Sequence, residues 1–134
     1  MNNTFHLIII SPYGKYFEGE VEFLEVHSEK YSLGILPGHA PLISTLVVSK
    51  MTIKMHDESF NYAIGGGAIN VEKEKVTLLL DSIEREDEID LARAEEAKRR
   101  AEERLKIKDD SIDINRAKLS LFRALNRIKI ASKD

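Results

Sequence analysis

The stretch Glu88-Ile89-Asp90-Leu91-Ala92-Arg93-Ala94 lies where the character of the chain changes. Before it, short segments alternate apolar and polar residues, and no arginine occurs before Arg85. From Arg85 onward lie all eight arginines, and apolar residues recur at helical spacing instead of every second position. The sequence therefore predicts an α+β chain, with a β domain over residues 1–84 and a helical domain over residues 85–134.

Two helices are predicted after this boundary. Glu86-Asp87-Glu88 would place acidic side chains at the positive end of a helix dipole, which is a start signal. Lys106–Asp110 is a polar connection, and Ser111 is a plausible N-cap for the second helix. The apolar stripes of the two helices are Ala94, Ala97, Ala101 and Leu105, followed by Ile114, Ala117, Leu121, Ala124, Leu125 and Ile128. Helices of similar length with a short connection predict an antiparallel two-helix hairpin.

The region before the boundary has strand periodicity. Phe17–Val26 alternates except for a slip at Phe23-Leu24, which is consistent with a bulge. Gly65–Gly67 is not a phosphate-binding loop, because no Gly-Lys-Ser/Thr follows it, so flexible backbone at a strand junction is favoured. Many short strands with no helix between them predict an antiparallel β-sandwich or barrel.

The composition narrows the function classes. The chain has 134 residues, which suits one domain or one domain with an appendage. It has no cysteine, which excludes disulfides and thiolate chemistry. The first lysine is Lys15, so the N-terminus does not resemble a signal peptide. No apolar run approaches the roughly 18 residues of a membrane helix, so we expect membrane association only through a partner.

Charge is unevenly distributed along the chain. The formal net charge is −3, yet residues 112–134 carry six basic residues against two acidic ones. The second helix is therefore cationic and should attract an anionic surface or ligand. A nucleic-acid-binding hairpin is one such reading, but the first helix is acidic and no aromatic residues interleave the arginines.

The arginines repeat on both helices with a spacing of seven and then four residues. If the two flanks face each other, four to six guanidinium groups surround one volume, and their forked geometry suits phosphate oxygens. The alternative is a solvated surface with pairs such as Glu96–Arg100, each worth a few tenths of a kcal/mol. Spacing alone favours the solvated alternative. The two sets are Arg93, Arg100 and Arg104, and Arg116, Arg123 and Arg127.

Other side chains suggest no catalytic chemistry. His39 lies between Pro37 and Pro41 in a constrained loop that can present a side chain to a partner. No nucleophile elbow and no metal-spaced cluster is present in the sequence. We therefore expect no enzyme active site and no metal site.

Three motifs resemble a known family. Gly34-Ile35-Leu36-Pro37-Gly38-His39-Ala40-Pro41-Leu42 resembles the hallmark loop of the epsilon subunit of F-type ATP synthases. Gly66-Gly67-Ala68-Ile69-Asn70-Val71, followed by Val76-Thr77-Leu78-Leu79-Leu80-Asp81, resembles the next block of that family. Ile89-Asp90-Leu91-Ala92-Arg93-Ala94 resembles its nucleotide motif. The resemblance extends over almost the whole chain.

This resemblance implies a regulatory, non-catalytic subunit. A sandwich of about ten strands would dock on the gamma subunit and the ring of c subunits, at the cytoplasmic face of the bacterial plasma membrane. The hairpin would be mobile: folded down it permits turnover, and extended towards the alpha and beta subunits it blocks ATP hydrolysis. ATP, as a regulatory ligand, would bind the folded-down form. Nucleic acid is not an expected partner, and the same subunit without ATP sensing is the nearest alternative.

The resemblance also assigns residues. His39 would face the c ring, and Ser32 occupies a position where the family often has an acid. Contacts with the beta subunit would come from Arg104, Arg116 and Arg123. The residues implied in ATP binding are Glu84, Ile89, Asp90, Arg93, Ala94, Arg100, Arg123 and Arg127.

Overall fold

The computed structural model describes residues 3–107 and 113–132. The chain divides into two compact units, Met1–Arg85 and Glu86–Asp134. The strands of the first unit are β1 (Phe5–Ser11), β2 (Gly14–Val21), β3 (Phe23–His27), β4 (Ser32–Ile35), β5 (Leu42–Met55), β6 (Glu58–Val71), β7 (Lys75–Leu80) and β8 (Ile83–Arg85).

One sheet folds over itself to form the predicted sandwich. Its strand order is β2-β1-β7-β6-β5-β3-β4, with β8 also paired to β6. Neighbouring strands are antiparallel except β1 and β7, which are parallel. The sandwich and the α+β class are confirmed, but the described residues form eight strands instead of about ten.

The lower strand count comes from β5 and β6, each of which is a single strand of 14 residues. Breaks in alternation had suggested shorter strands and a junction at Gly65–Gly67. Instead β6 continues through these glycines and stays paired with β5 on both sides of them. Gly66 and Gly67 have φ values of 93° and 150°, which a side chain would disfavour. The glycines therefore lie within one strand and do not join two.

The core lies between the two layers of the folded sheet. Inward positions of β1 and β7 alternate with outward ones, as strand periodicity requires, whereas β6 is buried continuously from Tyr62 to Gly66. The fully enclosed side chains of the core include Leu7, Ile9, Leu24, Ile35, Met51, Ile53, Ile64, Ile69 and Leu78.

Glu22 separates two strands where the sequence suggested one strand over Phe17–Val26. Before Glu22 in the chain, β2 pairs with β1, and after Glu22, β3 pairs with β4 and β5. The Glu22 N–H donates to the Lys54 carbonyl oxygen at 2.7 Å, and its carboxylate accepts from the Asp57 N–H at 2.8 Å. The slip in alternation is therefore a change of pairing partner, and the bulge interpretation was wrong.

His56 and Asp57 form the two-residue turn between β5 and β6, with φ values of 54° and 61°. Asn-Gly suits such a turn better, because both positions need positive φ. We expect the double substitution His56→Asn/Asp57→Gly to raise the free energy of unfolding by about 0.5–1 kcal/mol, measured by urea denaturation. Glu58→Gly, in the adjoining strand, is the matched control and should lower it. An unchanged or lowered value for the double variant would contradict this account of the turn.

The second unit contains a 3₁₀ turn, Glu86–Glu88, and the helices α1 (Leu91–Lys106) and α2 (Ile114–Ser132). The acidic segment predicted to open the first helix is thus the 3₁₀ turn. α1 begins later because Asp90 is its N-cap, with its Oδ1 accepting from the Arg93 N–H at 3.1 Å. Ser111, the predicted N-cap of the second helix, lies outside the described residues. Asp113 accepts from the Arg116 N–H at 3.0 Å at that helix start.

The two helices pack through small side chains, as predicted for a hairpin. Ala94 and Ala101 of α1 and Ala117 and Ala124 of α2 are each at most 4% exposed. Small residues let the helix axes approach closely. Within the described residues, neither helix is long and apolar enough to cross a membrane.

Candidate functional site

The arginines of α1 occupy one flank beside its contact with α2. Each comes one residue before an inward-facing side chain, and one residue turns a helix by about 100°. Ala94 and Ala101 are 4% and 1% exposed, and Leu105 is half-buried. The pairs are Arg93 before Ala94, Arg100 before Ala101, and Arg104 before Leu105.

The arginines of α2 follow the same rule. Ala117 and Ala124 are 2% and 0% exposed, and Ile128 is half-buried. The pairs are Arg116 before Ala117, Arg123 before Ala124, and Arg127 before Ile128. Both helices therefore carry their arginines at the same angular offset from the contact line.

This shared offset puts the two sets on one side of the hairpin. In an antiparallel pair, the second helix runs in the opposite direction and also faces the opposite way. Reversing the helix direction and reversing the direction of the contact face each move a given offset to the other side, so together they leave it unchanged. In both right-handed helices, the residue before an inward-facing one therefore lies on the same side of the pair. We call this side the arginine face. It comprises Arg93, Arg100, Arg104, Arg116, Arg123 and Arg127.

The arginine face has two ends. Arg104 and Arg116 lie towards the connection between the helices, whereas Arg93 and Arg127 lie towards the open end. Arg93 and Arg100 are exposed, while Arg123 and Arg127 are half-buried. Four of the predicted nucleotide ligands thus belong to the open end and middle of the face, and the arginines assigned to the beta subunit lie towards the connection or, for Arg123, in the middle.

The first turn of α1 orders the open end. Besides the cap at the Arg93 N–H, the Asp90 carbonyl oxygen accepts from the Ala94 N–H at 3.0 Å. The half-buried Ile89 donates its N–H to the Glu86 carbonyl oxygen at 3.4 Å. Asp90 therefore fixes the backbone from which the Arg93 side chain projects, a capping role that the sequence analysis did not assign.

Arg99 was not singled out from the sequence, although carboxylates at i−3 and i+4 marked it. Its Nη2 and Nε contact the Glu96 carboxylate at 2.5 and 3.1 Å, and its Nη1 contacts Glu103 at 2.6 Å. The hydrogen bond to Glu96, and then the charge of Glu103, raise the pKa of Arg99, while the hydrogen bond from Arg99 lowers the pKa of Glu96. The Glu96 to Arg100 Nε distance is longer, 3.7 Å. The positive charge of Arg99 is thus balanced by carboxylates of its own helix.

Glu84, also implied in nucleotide binding, belongs to the first unit. It is half-buried on β8, where it pairs in register with Ala63. The remaining implied nucleotide residues, Ile89 to Arg127, belong to the second unit.

His39 ends a tight turn of the first unit. Pro37 and Gly38, the latter with φ of 81°, occupy its centre, and the His39 N–H donates to the Leu36 carbonyl oxygen at 3.1 Å. The ring Nδ1 lies 2.6 Å from the Ala40 carbonyl oxygen, so Nδ1 carries the hydrogen in this contact. The loop therefore holds the imidazole in a defined orientation.

Ser32 departs from the family pattern and has a local partner. It is exposed on β4, and its hydroxyl lies 2.9 Å from Nδ1 of His27 on β3. A hydroxyl that contacts a histidine thus occupies the position of the usual acid. Among residues 3–107 and 113–132, no cluster of histidine and carboxylate side chains could hold a metal ion.

Both units match known family descriptions. Residues 4–86 match the "ATP synthase, Delta/Epsilon chain, beta-sandwich domain", and residues 87–132 match the "ATP synthase, Delta/Epsilon chain, long alpha-helix domain". The chain belongs to the ATP synthase delta/epsilon family. The recognition of epsilon-subunit motifs in the sequence is thereby confirmed.

Relatives of this delta/epsilon-family chain include bacterial epsilon chains. The "ATP synthase epsilon chain" of Pelotomaculum thermopropionicum is 45% identical over 104 residues, covering 78% of each chain. That of Bacillus cereus (strain B4264) is 44% identical over 105 residues, covering 78% of this chain and 79% of the relative.

Solved structures share the fold at low identity. A chain of the Euglena gracilis mitochondrial ATP synthase, described as "OSCP/F1/c-ring in rotational state 1", superposes with a TM-score of 0.79 at 18% identity, covering 93% of this chain and 81% of that one. A chain from the Tetrahymena thermophila enzyme, described as "central stalk/cring", gives 0.58 at 13% identity, covering 96% and 93%.

Proposed function

We propose that the chain is the central-stalk epsilon subunit of a bacterial proton-translocating F-type ATP synthase. It is not itself catalytic. Its sandwich couples the rotor to the catalytic head, and its hairpin inhibits ATP hydrolysis. The names of the bacterial relatives support this assignment, as does the fold shared with chains of rotary complexes. The subunit is peripheral, at the cytoplasmic face of the plasma membrane, and is held there by the complex.

The outer surface of the sandwich supports a partner-binding role. Ile43 on β5 and Leu79 on β7 are 80% and 53% exposed, and exposed apolar residues that lie together on one face can form a protein-binding surface. They lie on neighbouring cross-strand rows, since Ile43 pairs with Asn70 and Leu79 with Ala68 on β6. We assign this outer face to the gamma subunit, and the rigid His39 loop to the c ring.

The arginine face supports ATP binding, and this is the observation that carries the regulatory proposal. Guanidinium groups bind phosphate oxygens through paired hydrogen bonds, so several on one side of a hairpin suit a triphosphate. We assign the triphosphate to Arg93, Arg100, Arg123 and Arg127. Ile89 and Ala94 supply apolar surface at the open end, Asp90 holds the turn that carries Arg93, and we include Glu84 among the proposed nucleotide ligands.

ATP then regulates by linkage. A ligand that binds only the folded-down hairpin stabilises that state by RT ln(1 + [L]/Kd), which is about 2.7 kcal/mol at a hundredfold excess. The shift cannot exceed the difference in affinity between the two states. Falling ATP therefore releases the hairpin.

The released hairpin is proposed to bind an acidic segment of the beta subunit through Arg104, Arg116 and Arg123. The cationic character of α2 increases this attraction. Because Arg123 belongs to both sets, ATP and the beta subunit compete for it. Binding of one partner therefore weakens binding of the other.

Truncation tests the inhibitory role. We expect an F1 complex assembled with the full chain to hydrolyse ATP several-fold more slowly at low ATP than one assembled with a chain ending at Arg85. The difference should shrink as ATP rises, because ATP holds the hairpin down. Equal rates at low ATP would refute inhibition by the hairpin. Inhibition that is independent of ATP would identify an epsilon subunit without ATP sensing.

A further inference from the structure

His6 on β1 is held between two carboxylates of the edge strand β2. Its Nε2 lies 2.7 Å from Glu18 Oε2, and its Nδ1 lies 2.9 Å from Glu20 Oε2. The ring thus bridges two outward positions of β2, one directly opposite His6 and one diagonal to it. Both ring nitrogens of His6 therefore contact side chains of β2.

This geometry fixes the charge of the imidazole. Ionised carboxylates only accept hydrogen bonds, so each contacting nitrogen must carry a hydrogen. A neutral imidazole has only one N–H and could keep only one of the two bonds. The bridge over Glu18 and Glu20 is therefore complete only when His6 is an imidazolium cation.

Other polar and charged groups lie on both sides of this bridge. The Lys15 ammonium contacts Glu18 at 2.5 Å, and the Thr4 hydroxyl donates to Glu20 at 3.1 Å. On the other side, β7 places Lys75 in register with His6, and the Lys75 ammonium lies 3.7 Å from Glu72. Lys75 on β7 carries the same charge as an imidazolium at His6, so it opposes the effect of the two carboxylates on β2.

The hydrogen bonds that the ring donates to Glu18, and then to Glu20, raise the pKa of His6 above its usual 6.5. Those from Lys15, then from His6, lower the pKa of Glu18. Glu18 therefore stays ionised throughout the range in which His6 titrates.

We propose that His6, Glu18 and Glu20 form a proton-controlled clamp that fastens the edge strand β2 to β1. This device is independent of the nucleotide site and of the proposed regulatory role. The pKa of His6 is raised on folding, so both hydrogen bonds of the clamp are present below pH 6.5. One of them is lost as the pH rises through the raised pKa and the imidazolium loses a proton. An edge strand has one unpaired backbone row, so its attachment depends on such side-chain contacts more than that of an inner strand.

Titration of the full chain by NMR tests the charge state. We expect the His6 imidazole to titrate above 6.5, and Glu18→Gln and Glu20→Gln each to lower its pKa. Glu29→Gln, an exposed acid in the turn before β4, is the matched control and should leave it unchanged. A His6 pKa at or below 6.5, or one insensitive to both clamp variants, would overturn the proposal.

Hydrogen exchange tests the mechanical consequence. After correction for intrinsic exchange rates, backbone amides of β2 should lose protection several-fold between pH 6 and pH 8.5. In His6→Asn, which cannot titrate, β2 protection should be low and independent of pH over the same range. Wild-type β2 protection that does not change with pH, or that changes equally in His6→Asn, would overturn the clamp.

Discussion

Arg93→Ala is expected to raise the Kd of the full chain for ATP about 10- to 100-fold. A charge-assisted hydrogen bond to phosphate contributes about 1.5–3 kcal/mol, and each 1.4 kcal/mol is tenfold in affinity. Arg93 is exposed at the open end of the arginine face and projects from the turn that Asp90 caps. Equilibrium dialysis with labelled ATP measures the change directly.

Arg99→Ala is the matched control, because it removes the same charge from the same helix. Arg99 already contacts Glu96 and Glu103 on its own helix, so we expect its loss to change the Kd less than about threefold. Equal effects of the two substitutions would show that ATP responds to net charge and not to the arginine face. Lys at position 93 should recover only part of the affinity, since an ammonium lacks the paired donors.

Gly67→Ala is expected to destabilise the first unit more than any surface change, by about 3–5 kcal/mol. A Cβ at position 67 would lie 2.0 Å from the Leu79 carbonyl oxygen and 2.9 Å from Leu80 Cα. Both are backbone atoms of the neighbouring β7, so they can move away only if the strand pair opens. The φ of 150° adds strain for any residue with a side chain.

Gly34→Ala provides the comparison for that variant. A Cβ at position 34 would meet only the ring of Phe23, at 3.3 Å, and Gly34 has no positive φ. A side chain can shift by a few tenths of an ångström, so we expect a change within about 1 kcal/mol in urea unfolding. If Gly67→Ala were no more destabilising than Gly34→Ala, the close approach of β6 and β7 would not be a constraint on folding.

The helical half of the chain was the more predictable from its sequence. Helical contacts depend on residues three and four apart, so the spacing of Ala94 and Ala101 revealed the face that packs. The start of α1 was less accessible, because acids at Glu86–Glu88 and the cap at Asp90 are both typical of helix beginnings. The start of α1 depends on which of these two signals is stronger, and each signal considered alone does not show this.

The sandwich was harder because strand pairing joins distant residues. Alternation indicates which residues face inward but does not identify the partner of a strand. The change of partner at Glu22 therefore resembled a bulge, and the run of positive-φ glycines within β6 resembled a junction between two strands. The contact of His6 with Glu18 and Glu20 spans 12 and 14 residues, and only the register of β1 on β2 reveals it.

For the arginines, spacing identified the residues but not their arrangement. The repeat of seven and four is by itself more typical of a solvated surface. Whether the two sets lie on one side of the hairpin depends on the offset of each set from the helix contact, which required knowing that Ala94 and Ala124 point inward. The Arg99 contacts were readable at i−3 and i+4 but fall outside that repeat.

Calorimetric titration of ATP into the full chain tests the central claim most directly. The arginine face predicts saturable binding at one site, and loss of that binding in the double variant Arg93→Ala/Arg127→Ala, which removes one arginine from each helix. The absence of saturable heat with the wild-type chain, or undiminished binding in the double variant, would contradict it.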